Sequence, residues 1–72
     1  MHYDELVNMI VDRRKSLKVT QEILSELSGI GLRTIKQFES GKGNPTLHTI
    51  LRLVDVLGLE IKLVTKGVKY NL

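Results

Sequence analysis

Between Thr20 and Gly41 the chain starts a helix twice and stops it twice, with Gly29 dividing the two starts. Thr20 offers an N-cap hydroxyl, and Gln21 to Ser28 then reads as a short helix. Gly29 ends it, because glycine tolerates the positive φ common just past a helix end. After Ile30 and Gly31, Leu32 to Ser40 reads as a second short helix, stopped by Gly41. Two short helices joined by a tight glycine-containing turn are the unit that places a helix in the major groove of DNA.

The flanks supply the rest of one small domain. Asp4 to Leu17 repeats apolar residues at helical spacing, with Leu6, Ile10 and Leu17 on one face and Val7 and Val11 beside them. Asp4 and Glu5 lie in its first turn and Arg13, Arg14 and Lys15 near its end, which suits the helix dipole. Lys42-Gly43-Asn44-Pro45 is a loop by composition. Thr46 caps the next helix, whose expected apolar stripe is Leu47, Ile50, Leu51, Val54 and Leu57, and Gly58 ends it. The period then changes. Leu59, Ile61 and Leu63 alternate with Glu60, Lys62 and Val64, which reads as a short half-buried strand over Leu59 to Thr65. Residues 1–58 therefore read as the helical domain and 59–72 as a C-terminal strand and tail.

Charge narrows the function class. The chain has 72 residues and a formal net charge of +3, an ordinary value, but its distribution is uneven. From Leu27 to Val54 the only acidic residue is Glu39, while Arg33, Lys36, Lys42 and Arg52 share that stretch. A positive field over one part of a small domain steers it towards phosphate. There is no cysteine, hence no disulfide and no thiolate metal site. His2 and His48 have no ligand partner at useful spacing, so no metal and no cofactor are expected. No apolar run approaches the ~20 residues needed to span a bilayer, and the N-terminus lacks the pattern of a signal peptide. A cytoplasmic location is the expectation. Nothing resembles a catalytic constellation, and the chain is too short to enclose a pocket, so an enzyme is not expected.

Ile35 and Phe38, at i and i+3, face the core together. That leaves Leu32, Arg33, Lys36 and Gln37 clustered on the outward face of the second short helix. Arginine can bond bidentately to guanine and glutamine to adenine, and leucine can meet a thymine methyl. Gln21, at the start of the first short helix, is placed to hold a backbone phosphate. Lys42 and Asn44 follow the reading helix and add further phosphate contacts. Glu39, four residues after Ile35, points inward or sideways, where an ionised carboxylate needs a partner. Arg14 on the first helix is the expected one.

The stretch Val19-Thr20-Gln21-Glu22, Ser28-Gly29-Ile30, Thr34-Ile35, Glu39-Ser40-Gly41-Lys42 and Asn44-Pro45-Thr46-Leu47 closely resembles the Cro/C1-type (Xre-family) helix-turn-helix proteins, which include phage repressors. The resemblance covers about residues 4 to 58. It implies an all-α, lambda-repressor-like bundle of about five helices that binds a two-fold operator as a homodimer. Gln21 then lies on phosphate, and Leu32, Arg33, Lys36 and Gln37 lie in the groove of double-stranded DNA. Thr34 and Ser40 complete the expected phosphate set. The Arg14–Glu39 brace also matches a pairing in such repressors. Two features depart from the pattern: Gly31 replaces a polar cap, and Ile23 and Leu27 form an apolar pair at positions usually polar.

A single strand needs a partner for its backbone groups. The simplest partner is the same strand of a second copy, with Leu59, Ile61 and Leu63 at the dimer interface. A terminal strand of this kind is similar to that of HipB-type antitoxins, which dimerise through it, repress their own operon and bind a kinase-like toxin. The expected function is thus a sequence-specific transcriptional regulator, a repressor, and as one form of it the antitoxin of a toxin–antitoxin pair. The alternative is a protein-interaction adaptor on the same scaffold, binding DNA weakly and using Ile23 and Leu27 for a protein partner.

Overall fold

The computed structural model describes residues 1–67. Among them are four helices: α1 (Tyr3–Ser16), α2 (Gln21–Ser28), α3 (Leu32–Glu39) and α4 (Leu47–Val56). Helix α2 packs on both α3 and α4, and α1 packs on α3. No helix of the described residues is long and apolar enough to cross a membrane.

The helix boundaries follow from local chemistry. The Thr20 hydroxyl accepts from the Ile23 N–H, and the Thr46 hydroxyl accepts from the Thr49 N–H, each at 3.1 Å. Each satisfies an N–H that the first helical turn leaves without a partner. Gly29 ends α2 in the left-handed conformation with φ 74°, and its N–H bonds to the Ser25 carbonyl. Gly31 precedes α3 without a side-chain cap. Lys18 is the one non-glycine at positive φ among the described residues, at 57°. A Cβ in that region is disfavoured by roughly 1–2 kcal/mol, whereas glycine adds conformational entropy to the unfolded chain. Lys18 is exposed, so its side chain has little packing to lose. Lys18→Gly is expected to stabilise by about 0.5–1 kcal/mol, read as a rise of a few degrees in melting temperature. An unchanged or lower melt would contradict this.

One core joins the four helices: Val7 and Ile10 from α1, Leu24 from α2, Ile35 and Phe38 from α3, and Ile50, Leu53, Val54 and Leu57 from the last segment. The α1 and α4 stripes differ from the expected ones. On α1 the buried positions are Val7, Ile10 and Arg14, while Leu17 lies beyond the helix end and is exposed. The i, i+3, i+7 row that faces the core thus ends on a charge, because a guanidinium can be buried when fully paired. On α4 the buried row is Ile50, Leu53, Val54 and Leu57, and both Leu47 and Leu51 are exposed. Tyr3 lies edge-on to Phe38, with ring centroids 6.4 Å apart, which pins the start of α1 to the end of α3.

Two further corrections concern the C-terminal part. The fifth helix is absent among the described residues, because the helical repeat of apolar residues stops at Gly58. The strand expected over Leu59 to Thr65 is also absent among them. A strand is defined by its pairing, and the described residues offer this segment no second strand. Leu59 instead folds back on the helices. Its N–H bonds to the Val54 carbonyl at 2.9 Å, and its half-buried side chain packs on the core. Beyond it, Leu63 is 97% and Val64 84% exposed. The tail beyond Gly67 lies outside the described residues.

Candidate nucleic-acid interface

The orientation of α3 is set by what it buries. Ile35 and Phe38 are almost completely buried, and this forces Arg33, Lys36 and Gln37 to the exposed side. Arg33 and Gln37, four residues apart, sit one above the other on that face. Leu32 is only half-exposed.

Beside the exposed face of α3 lies a shallow recess of about 250 Å³, lined by Thr34, Gln37, Lys42, Gly43, Asn44 and Thr49 among others. The loop that closes it depends on left-handed backbone at Gly41 and Gly43, with φ 79° and 85°. Gly43 passes so close to the reading helix that a Cβ there would lie 3.5 Å from the Gln37 Cβ. The Gln37 carbonyl accepts from the Ser40 hydroxyl at 2.7 Å and from the Lys42 N–H at 3.1 Å. The Ser40 hydroxyl thereby closes the helix end. The exposed Lys42 side chain and those of Thr34 and Asn44 stand at the recess.

Beneath this surface three helices meet at one carboxylate. Arg14 grips Glu39 with two hydrogen bonds, Nε to Oε2 at 2.7 Å and Nη2 to Oε1 at 2.8 Å. Both side chains are about one-tenth exposed or less (11% and 8%). Arg14 Nη1 also donates to the Val19 carbonyl at 2.8 Å. Gln21, expected on phosphate, donates Nε2 to Glu39 Oε1 at 2.9 Å. An ionised carboxylate is the strongest acceptor within its reach. A carboxamide nitrogen carries two hydrogens and its oxygen accepts as well, so part of the Gln21 side chain remains for another partner.

Two arginines hold helix ends. Arg52, counted from the sequence as part of the positive field, donates Nε and Nη2 to the Ser28 carbonyl at 3.1 and 2.9 Å. It thereby satisfies a carbonyl at the end of α2, where positive charge suits the dipole. Arg13 Nε donates likewise to the Leu57 carbonyl at 2.9 Å. The turn itself is tied by Ser25, whose hydroxyl donates to the Ile30 carbonyl at 2.7 Å, and by the Ile30 N–H, which donates to the buried Ser28 hydroxyl.

A helix-turn-helix family model matches residues 10–64, most of the chain and all of the region just described. The chain belongs to the Cro/C1-type helix-turn-helix family. It is 34% identical over 64 residues to an uncharacterized HTH-type transcriptional regulator of Haemophilus influenzae, a match covering 89% of this chain and 65% of that protein. It is 33% identical over 52 residues to the cryptic phage CTXphi transcriptional repressor RstR of Vibrio cholerae, covering 72% of this chain and 46% of that protein. The matches thus span between about half and two thirds of these relatives' own length.

The remaining expected site residues of this helix-turn-helix protein lie elsewhere. Ile23 and Leu27 are on the exposed side of α2, 43% and 59% exposed. Ile61 and Leu63 line an apolar groove with Met1, Leu6 and Met9 of the N-terminal segment, away from α3. His2 and His48 are exposed, and the described residues contain no cluster of three or more side chains able to hold a metal.

Proposed function

We propose that the protein is a sequence-specific DNA-binding transcriptional regulator, a repressor that grips a two-fold operator as a homodimer. The observation that carries this reading is the face of α3. With Ile35 and Phe38 locked in the core, three side chains that can address base edges or phosphate stand together on the exposed side, beside a recess bearing Lys42 and Asn44. Arg33 and Gln37 read bases, Lys36 supports them, and Leu32 reaches a thymine methyl only at the margin of the face. Thr34, Lys42, Asn44 and the free part of Gln21 set register on phosphate. The cryptic phage transcriptional repressor among the relatives supports the regulatory sense.

The C-terminal segment supports the dimer reading. Ile61, Leu63 and Val64 are exposed beside an apolar groove that includes Met9 and Leu6. A second copy offers the same groove and the same side chains, so a two-fold exchange covers both at once. The antitoxin form of this reading adds a toxin as a further partner. The adaptor alternative draws on the exposed Ile23–Leu27 pair.

Selection of bound sequences from a random duplex pool, at two salt concentrations, tests the proposal. The wild type is expected to enrich a two-fold site whose preference persists as salt rises. Arg33→Ala and Gln37→Ala should each relax the preference at one position per half-site, by about 1–3 kcal/mol, or roughly 5- to 150-fold. Binding that is weak, sequence-blind and lost with salt would instead make the protein an adaptor.

A further inference from the structure

We infer that Glu39, neutralised by Arg14, is a positioning residue for DNA binding: it holds the Gln21 carboxamide ready for a backbone phosphate. This rests on the DNA-binding reading above and adds a role to the ion pair beyond bracing the fold. Gln21 is the first residue of α2 and half-buried. Its Nε2 is fixed on Glu39 Oε1 at 2.9 Å, the same oxygen that Arg14 Nη2 holds at 2.8 Å. Glu39 is the last residue of α3, and Arg14 sits in the last turn of α1. One carboxylate thus fixes the start of α2 relative to the end of the reading helix.

Two physical consequences follow. A glutamine side chain that is already immobilised loses less freedom when a phosphate arrives, so it binds more tightly than a free one. A bare carboxylate at this position would repel that phosphate. The Arg14 guanidinium, paired with both oxygens, cancels the charge while leaving an acceptor for Gln21. The second Gln21 N–H then serves as a neutral phosphate donor whose place is set by the core.

Phosphate contacts are blind to sequence, so a duplex of mixed sequence suffices as probe, with binding followed by fluorescence anisotropy at several salt concentrations. Gln21→Ala is expected to weaken binding about tenfold. It should leave the salt slope unchanged, because a neutral amide displaces no counterion; Lys42→Ala should lower that slope by about 0.9. The paired replacement Arg14→Met with Glu39→Leu removes both charges and fills their space, a change that buried ion pairs commonly tolerate. It is expected to melt cooperatively, to weaken duplex binding by part of that tenfold, and to shrink the effect of a further Gln21→Ala. A paired variant that binds as the wild type does, or in which Gln21→Ala keeps its full effect, overturns the inference while leaving the DNA-binding reading intact. A wild type that fails to bind duplex at low salt overturns both. Should the paired variant not fold, the wild type decides: the Gln21 side-chain amide must be rigid by NMR order parameters before DNA is added, and a mobile amide overturns the inference.

Discussion

Arg14→Ala is expected to leave much of the protein unfolded under conditions where the wild type is folded. Glu39 retains 8% side-chain exposure and would lose both guanidinium hydrogen bonds, keeping only Gln21 as donor. The Val19 carbonyl would lose Arg14 Nη1 at the same time, loosening the link between α1 and α2. Removing one partner of a buried pair costs about 3–5 kcal/mol, because the other charge is left uncompensated. The core of a domain this small rarely supplies more than about 3–5 kcal/mol in total. Urea and thermal melts followed by circular dichroism measure the loss. A variant within about 1 kcal/mol of the wild type would show that the Arg14–Glu39 pair is not a stabilising brace, since that is the range of an ordinary exposed pair.

The second large effect belongs to the C-terminal segment. A chain ending after Glu60 is expected to keep its helices and to lose the proposed dimer. The cut spares Leu59, whose backbone and side chain both belong to the helical core; ending the chain at Gly58 would mix unfolding with dissociation. It removes Ile61, Leu63 and Val64, the exposed apolar side chains of the segment. Two linked half-site contacts reinforce each other by about 10²–10⁴ through effective concentration alone. Affinity for the selected two-fold site should fall by that order, while affinity for an isolated half-site stays the same. Sedimentation gives the oligomeric state and anisotropy the affinities. Ile61→Asp with Leu63→Asp in the intact chain should reproduce the result. A dimer that survives either change would place the interface elsewhere.

The helix boundaries were legible because their causes are local. A threonine three residues before the N–H that it caps, or a glycine just past a helix end, leaves a signature within one turn. The face of α3 was legible too, since Ile35 and Phe38 leave Arg33 and Gln37 a single direction. What stayed hidden acts across the chain. Arg52 reaches a carbonyl 24 residues away and Arg13 one 44 residues away. In sequence they are indistinguishable from Arg33, so the apparent field over α3 and α4 includes an arginine committed to a helix end. Leu17 fits the α1 period and is exposed, whereas Arg14 breaks the apolar pattern and is buried. The alternation after Gly58 is a real pattern, but a pattern within one strand cannot name its partner. Gln21 was legible as a polar group at a helix start; its tie to Glu39 required the packed structure.

The brevity of α2 and α3 governs how the molecule comes into being. Each has eight residues, well short of the ~12–15 at which a helix in water begins to hold by itself. The reading helix consequently has no folded life apart from the domain. It leans on α1 and α2, and α2 in turn leans on α4, so the surface that faces DNA is completed only when the last of the four helices is in place. Folding and the appearance of the reading surface are one cooperative event, and an unfinished or partly unravelled chain presents no partial version of it.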